Sequence, residues 1–218
     1  MIRGSLAHVV VRGVRPEDAG SVWILGIAVV LRHLPAVGVS REAKHVRERY
    51  ERELGNDLGN LVSRTTTLLE KFSGGRVPEL NEGESERGLR ERAVRTLKEH
   101  DEAATKLYFA DALASVFALV SEANQHFQRT QPWQLVKDES KGRELAGSLY
   151  AGIEAVRLAG YLLYPYTPTI SAKICALLGV PTPDVARWQD VAKWGVLKPG
   201  DPIRTGPALF PRLEKVTA

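Results

Sequence analysis

Two polar side chains four residues apart, Asn60 and Arg64, and an indole at Trp133 are the residues whose types and placement could read another molecule. A spacing of four puts Asn60 and Arg64 on one face of a helix, off the apolar stripe that carries Leu54 and Leu61. Together they offer amide and guanidinium donors that suit the acceptor edge of an unpaired base. A solvated polar face has the same composition, so both readings stand on these two residues alone. Gly55 and Gly59, one turn apart, weaken the same helix and point to a close backbone approach there. Trp133 follows Pro132, which fixes the backbone where the chain turns. A flat ring in that position can stack on a base, which contributes ~1–3 kcal/mol. It can equally cap the core of a bundle. Asn124 and Gln125 lie on the last turns before this point, where polar residues are commonly solvated.

Catalytic constellations are scarce. The five histidines (His8, His33, His45, His100 and His126) never fall four apart with a glutamate between them, so a helical zinc site is unsupported. His126, one turn after Glu122, reads as a surface residue rather than a base. Cys175, between Ile174 and Ala176, reads as a buried, inert thiol, because a reactive thiolate needs an exposed, electropositive setting. The chain has neither a Gly-x4-Gly-Lys-Ser/Thr loop nor Gly-x-Gly-x-x-Gly.

The elements that must hold these residues are helical. From Arg41 to Phe72 the apolar positions Val46, Tyr50, Leu54, Leu58, Leu61, Thr65, Leu68 and Phe72 recur every three or four residues, as one buried helix face requires. Gly74-Gly75 and Pro78 stop it. A charged segment, Glu84 to Lys106, predicts a half-solvated second helix. The third spans Phe109 to about Phe127, with Phe109, Leu113, Val116, Phe117, Val120 and Phe127 on one face, and is broken by Gln131-Pro132-Trp133. A fourth runs from about Ser140 to Leu163 with Leu149, Ile153, Val156, Gly160 and Leu163 as its stripe. A short fifth, Ile170 to Leu178, ends at Gly179, and the proline-rich tail beyond it admits only short elements. With no strand–helix alternation and no repeat, the fold class is all-α, a bundle of about five helices. Residues 40–218 form that bundle. Residues 1–39 have no sustained period and read as an ill-defined N-terminal extension, either a truncated remnant or sequence from another frame. Within it, Val9-Val10-Val11 suggests a short strand, and Trp23 to Leu34 fits strand or helix.

At 218 residues the chain is one domain, or little more, and can bury a core unaided. A single cysteine rules out a disulfide framework within one copy and favours a reducing, cytoplasmic setting. The longest apolar run, Val22 to Leu31, is ten residues against the ~20 a spanning helix needs, so no membrane partner is expected. A net charge of +4 leans only mildly toward an anionic partner.

Several segments together resemble one family. Gly55-Asn56-Asp57-Leu58-Gly59-Asn60-Leu61-Val62-Ser63-Arg64, Gly74-Gly75-Arg76-Val77-Pro78, Ala123-Asn124-Gln125-His126-Phe127 and Gln131-Pro132-Trp133 look like the anticodon-binding domain of methionyl-tRNA synthetase, in order and approximate spacing. Tyr164-Pro165-Tyr166-Thr167-Pro168 and the closing Leu209-Phe210-Pro211-Arg212-Leu213-Glu214 resemble its later motifs. The resemblance covers about Ser40 to Glu214. It implies that Asn60 and Arg64 bond to the bases of the CAU anticodon, that Trp133, set by Pro132, stacks on the first base, and that Asn124 belongs to the same tRNA-binding surface. The implied partner is the anticodon stem-loop of tRNA(Met), together with a separate catalytic fragment.

Such a synthetase also carries a catalytic domain with a His-Ile-Gly-His-like motif and a Lys-Met-Ser-Lys-Ser-like loop. Neither motif occurs in this chain, whose only methionine is Met1. The chain alone is therefore expected to bind without aminoacylating. The ATP and Mg cofactors that the resemblance implies belong to that catalytic domain, and none is expected here. Two alternatives remain: a helical scaffold or protein-interaction domain that no longer binds RNA, and the related bundle of a neighbouring class I synthetase, against which the combined Asn60/Arg64 and Pro132-Trp133 pattern argues.

Overall fold

The computed structural model describes residues 50–81 and 83–210. The expectations for residues 1–39, Val46 and the motif beyond Phe210 fall outside them. The first helix has two textures. Tyr50–Gly59 winds as a π-helix with Tyr50, Leu54 and Leu58 buried, then passes into α1 (Asn60–Ser73), which buries Leu61, Val62, Thr65, Thr66, Leu68 and Leu69. A uniform helix was expected here. The wider π turn suits inward residues spaced strictly by four, and the α1 spacing shortens to alternate three and four. Gly74, in the left-handed conformation at φ 60°, closes α1.

α2 (Glu84–Thr105) and α3 (Phe109–Thr130) pack as an antiparallel pair. Thr96 Oγ1 donates to Ser115 O across them at 3.2 Å. As expected, α2 is largely solvated on its outer face. The α3 stripe is buried at Leu113, Val116, Val120 and Phe127, but Phe109 is 46% exposed. It sits at the first turn of α3, and its ring meets Tyr166 in a T-shaped contact with centroids 6.2 Å apart.

α3 ends where Gln131 turns left-handed at φ 44°, and α4 (Pro132–Leu135) restarts at once with Pro132 at its first position, where no N–H is required. A 3-10 turn, Glu139–Lys141, leads into α5 (Gly142–Leu162), then α6 (Pro168–Leu178), ended by Gly179, and α7 (Trp188–Val191). Among the described residues the tail holds only this short helix and an isolated antiparallel bridge between Arg76 and Pro202.

α5 departs most from expectation. In place of one apolar stripe, it buries every residue from Gly147 to Leu162, including Glu154 and Arg157. It is the axle of the bundle, contacted by α1, α2, α3, α4 and α6. A helix enclosed on all sides must either be apolar throughout or pair its charges internally. Arg157 bonds Glu154 through Nε (3.0 Å) and Nη2 (2.6 Å) and donates to Val191 O and Lys193 O, while Glu154 Oε1 accepts from Gly195 and Val196 N. This clamp fastens the tail to the axle. Among the described residues no helix is long and apolar enough to cross a membrane.

Candidate nucleic-acid interface

The sequence-selected residues gather around the start of α1 and the end of α3. Asn60, the first residue of α1, is exposed, and its side chain has no partner among the described residues. Arg64, one turn on, is half-buried against α3. Its Nη2 donates to Asn124 Oδ1, and its Cζ lies over the Phe127 ring, 5.9 Å from the centroid. Both partners are one turn apart on α3, so the guanidinium is gripped by an amide above and an aromatic face below. Burial lowers the pKa of Arg64, which nonetheless stays a cation at neutral pH. A guanidinium has five N–H donors in a planar fork, and only one bond is made within the described residues, so the others have no partner there.

Asn124 is less available than a solvated residue. Its Nδ2 donates to Asp57 O at 3.2 Å and to Val120 O at 3.1 Å, and its Oδ1 accepts from Arg64. It therefore ties the π-helical stretch to α3. Asp57 itself lies beside the site; burial, then repulsion from Glu53, raises its pKa against the pull of Arg52.

Trp133 is half-buried on α4, whereas Pro132 is buried. The indole is thus neither fully enclosed in the core nor fully exposed. It lies six residues beyond Phe127. No hydrogen bond or ring contact joins it to Arg64 among the described residues, so the structure places the two at the same end of α3 without coupling them directly.

The expectation for His126 is overturned. It is fully buried, with Nε2 3.2 Å from Ser148 Oγ and 3.3 Å from Ser148 O. α3 turns this side toward Ser148 of α5 rather than solvent. Thr130 Oγ1 completes the layer, 2.7 Å from Ser148 Oγ and donating to His126 O. This buried polar set fixes the last turn of α3, from which Pro132-Trp133 departs. Cys175 is buried as expected, and burial pushes its thiol up to about 11.

Phe127 escaped the sequence reading as a site residue. It belongs to the apolar stripe and is fully buried, and nothing in its type or spacing signals that a cation rests on it. Its seat depends on Gly152 of α5: a Cβ there would fall 2.1 Å from Phe127 Cζ, so only glycine admits the ring. Of the two glycines expected to allow close approach, Gly59 does so, since a Cβ would lie 3.2 Å from the Phe210 ring, whereas Gly55 has ordinary room.

An open groove of about 460 Å³ between α2 and α3, lined by Arg92, Glu99, Lys106 and Tyr108, lies at the other end of α3 and shares no residue with this site. No group of three or more His, Cys, Asp or Glu side chains is arranged to hold a metal among the described residues.

Residues 77–217 match the family model described as the anticodon binding domain of methionyl tRNA ligase. The chain belongs to that family. Methionine–tRNA ligase of Caldanaerobacter subterraneus is 39% identical over 189 residues, covering 85% of this chain and 29% of the relative. A match of that extent must include Asn60 and Arg64, which precede the family-model match. The Streptomyces coelicolor methionine–tRNA ligase is 35% identical over 179 residues, covering 78% of this chain and 33% of its own length. Among solved structures, apo methionyl-tRNA synthetase of Mycobacterium tuberculosis superposes with a TM-score of 0.72 at 30% identity, over 79% of this chain and 35% of that one. The chain spans between a quarter and a third of the length of the curated relatives it matches.

Proposed function

We propose that this chain is a tRNA anticodon-binding module of the methionine–tRNA ligase type, which reads the CAU anticodon of tRNA(Met) through Asn60, Arg64 and Trp133. The observation that carries the reading is the held guanidinium of Arg64: fixed by Asn124 and Phe127, with its other donors open, it is prepared for an acceptor from outside. Protein recognition of RNA sequence works on unpaired loops, where a base can be stacked and its edge bonded at once. Asn60 and Arg64 supply edge donors and Trp133 supplies a stacking face. Pro132 sets the direction in which the indole leaves α3. In this reading the chain binds RNA and, on its own, activates no methionine. ATP and Mg act in a separate catalytic region.

A filter-binding titration with the anticodon stem-loop of tRNA(Met) tests this. The CAU loop should bind more tightly than a loop whose first base is uridine, and equal affinities would falsify the recognition. Trp133→Ala should lose ~1–3 kcal/mol of affinity through stacking. Binding should also weaken steeply as salt rises, because phosphate contacts release counterions. ATP–pyrophosphate exchange should be absent from the purified chain and appear only when a catalytic fragment is added.

A further inference from the structure

Asn124 falls within the surface assigned to tRNA, yet its hydrogen-bonding capacity is directed inward. Both amide hydrogens are engaged, by Asp57 O and Val120 O, and Oδ1 accepts from Arg64. An asparagine has two N–H donors and one carbonyl oxygen with two lone pairs, so at most one acceptor position remains. A base reader needs a free donor–acceptor edge, and this amide does not present one.

We infer that Asn124 is a positioning residue: it holds the Arg64 guanidinium over Phe127 in the orientation that meets the anticodon, and does not itself touch RNA. The inference rests on the reading of Arg64 given above. A free arginine samples many rotamers, and ordering it on binding costs affinity. The grip removes that cost beforehand. It also joins two elements, because the Nδ2 bond to Asp57 O ties the π-helical stretch that leads into Asn60 and Arg64 to the helix that ends at Trp133.

Two substitutions separate positioning from reading. Asn124→Asp keeps the oxygen that Arg64 donates to and removes both amide donors. Asn124→Ala removes everything beyond Cβ. The preference for a CAU over a UAU stem-loop is the readout, since a ratio cancels the uniform repulsion an added carboxylate exerts on RNA. Positioning predicts that Asn124→Asp keeps the preference, whereas Asn124→Ala lowers it roughly tenfold, as loss of a bonded arginine does. In an Arg64→Ala background, Asn124→Ala should then change the preference less than about twofold. Collapse of the preference in Asn124→Asp, or equal losses from Asn124→Ala with and without Arg64, overturns the inference.

A second measurement needs no RNA. Rotation of the Arg64 guanidinium, followed by NMR of its Nη hydrogens, should be restricted in the native chain and in Asn124→Asp, and fast in Asn124→Ala. Fast rotation in the native chain overturns the positioning role. A native chain that binds neither stem-loop yet shows restricted rotation overturns the anticodon reading and leaves the grip in place.

Discussion

Arg64 and Arg157 each lie over an aromatic ring, Phe127 at 5.9 Å and Tyr161 at 5.2 Å, and there the likeness ends. Arg157 is fully buried and donates to both Glu154 oxygens and to two tail carbonyls. Arg64 is half-buried and, among the described residues, makes one hydrogen bond. The difference separates an arginine that completes a fold from one that, in the function proposed above, meets a ligand. The same side chain serves both ends because its donors are fixed in a plane: saturated inside, they cross-link, and partly saturated at the surface, they recognise.

The largest effect that tests this contrast is Arg157→Ala. It leaves the Glu154 carboxylate buried without its cation and should cost ~3–5 kcal/mol in urea unfolding, with the tail segment 191–197 released to proteolysis. If stability changes by less than 1 kcal/mol by the same measurement, the clamp is not what holds the tail.

Alkaline pH probes the same region. Cys175 and Tyr161 are raised to about 11 and about 12, in both cases chiefly by burial. Each is neutral when folded and ionises more readily when unfolded. Stability is therefore complete below the ordinary thiol value of 9.0 and declines as pH rises from there toward about 11. The Cys175 share is on the order of 2–3 kcal/mol by the end of that window. Unfolding curves of Cys175→Ala against the native chain should converge in slope below pH 9 and diverge above it, and parallel curves throughout exclude the thiol as the cause.

Gly152→Ala acts on the other arginine indirectly. Its Cβ collides with the Phe127 ring, so the ring must move from beneath Arg64. A destabilisation of ~1–3 kcal/mol is expected, accompanied by weaker stem-loop binding. Unchanged binding at reduced stability shows that the Phe127 face does not matter to Arg64. The smallest stability effect belongs to Arg64→Ala, expected within about 1 kcal/mol because one partly exposed bond is lost. Its stem-loop affinity should nevertheless fall by ~1–3 kcal/mol. A large loss of stability with no loss of affinity reverses the roles of the two arginines.

Much of this was legible in the residues. The period of three and four, the stops at Gly74 and Gly179 and the break at Pro132 placed five helices close to where they lie, because local backbone preferences act over single turns. Asn60 and Arg64 were legible as one face for the same reason. The π-helical winding of Tyr50–Gly59 was not, since the spacing of Tyr50, Leu54 and Leu58 fits either helix. His126 was misread because a polar residue beside a surface glutamate carries no mark of the Ser148 hydroxyl that receives it from another helix.

The sequence by itself determined the all-α class, the approximate helix limits and the pair of donors on α1, which depend on neighbours within a few turns, and the family, which rests on the order of short motifs along the chain. Tertiary packing alone decided that α5 is enclosed on every side, that its charges close on each other and on the tail, and that Asn124 and Phe127 take hold of Arg64 across a gap of sixty residues. Those outcomes depend on which faces meet. A face acquires its meaning only from the atoms set against it, and those come from distant parts of the chain.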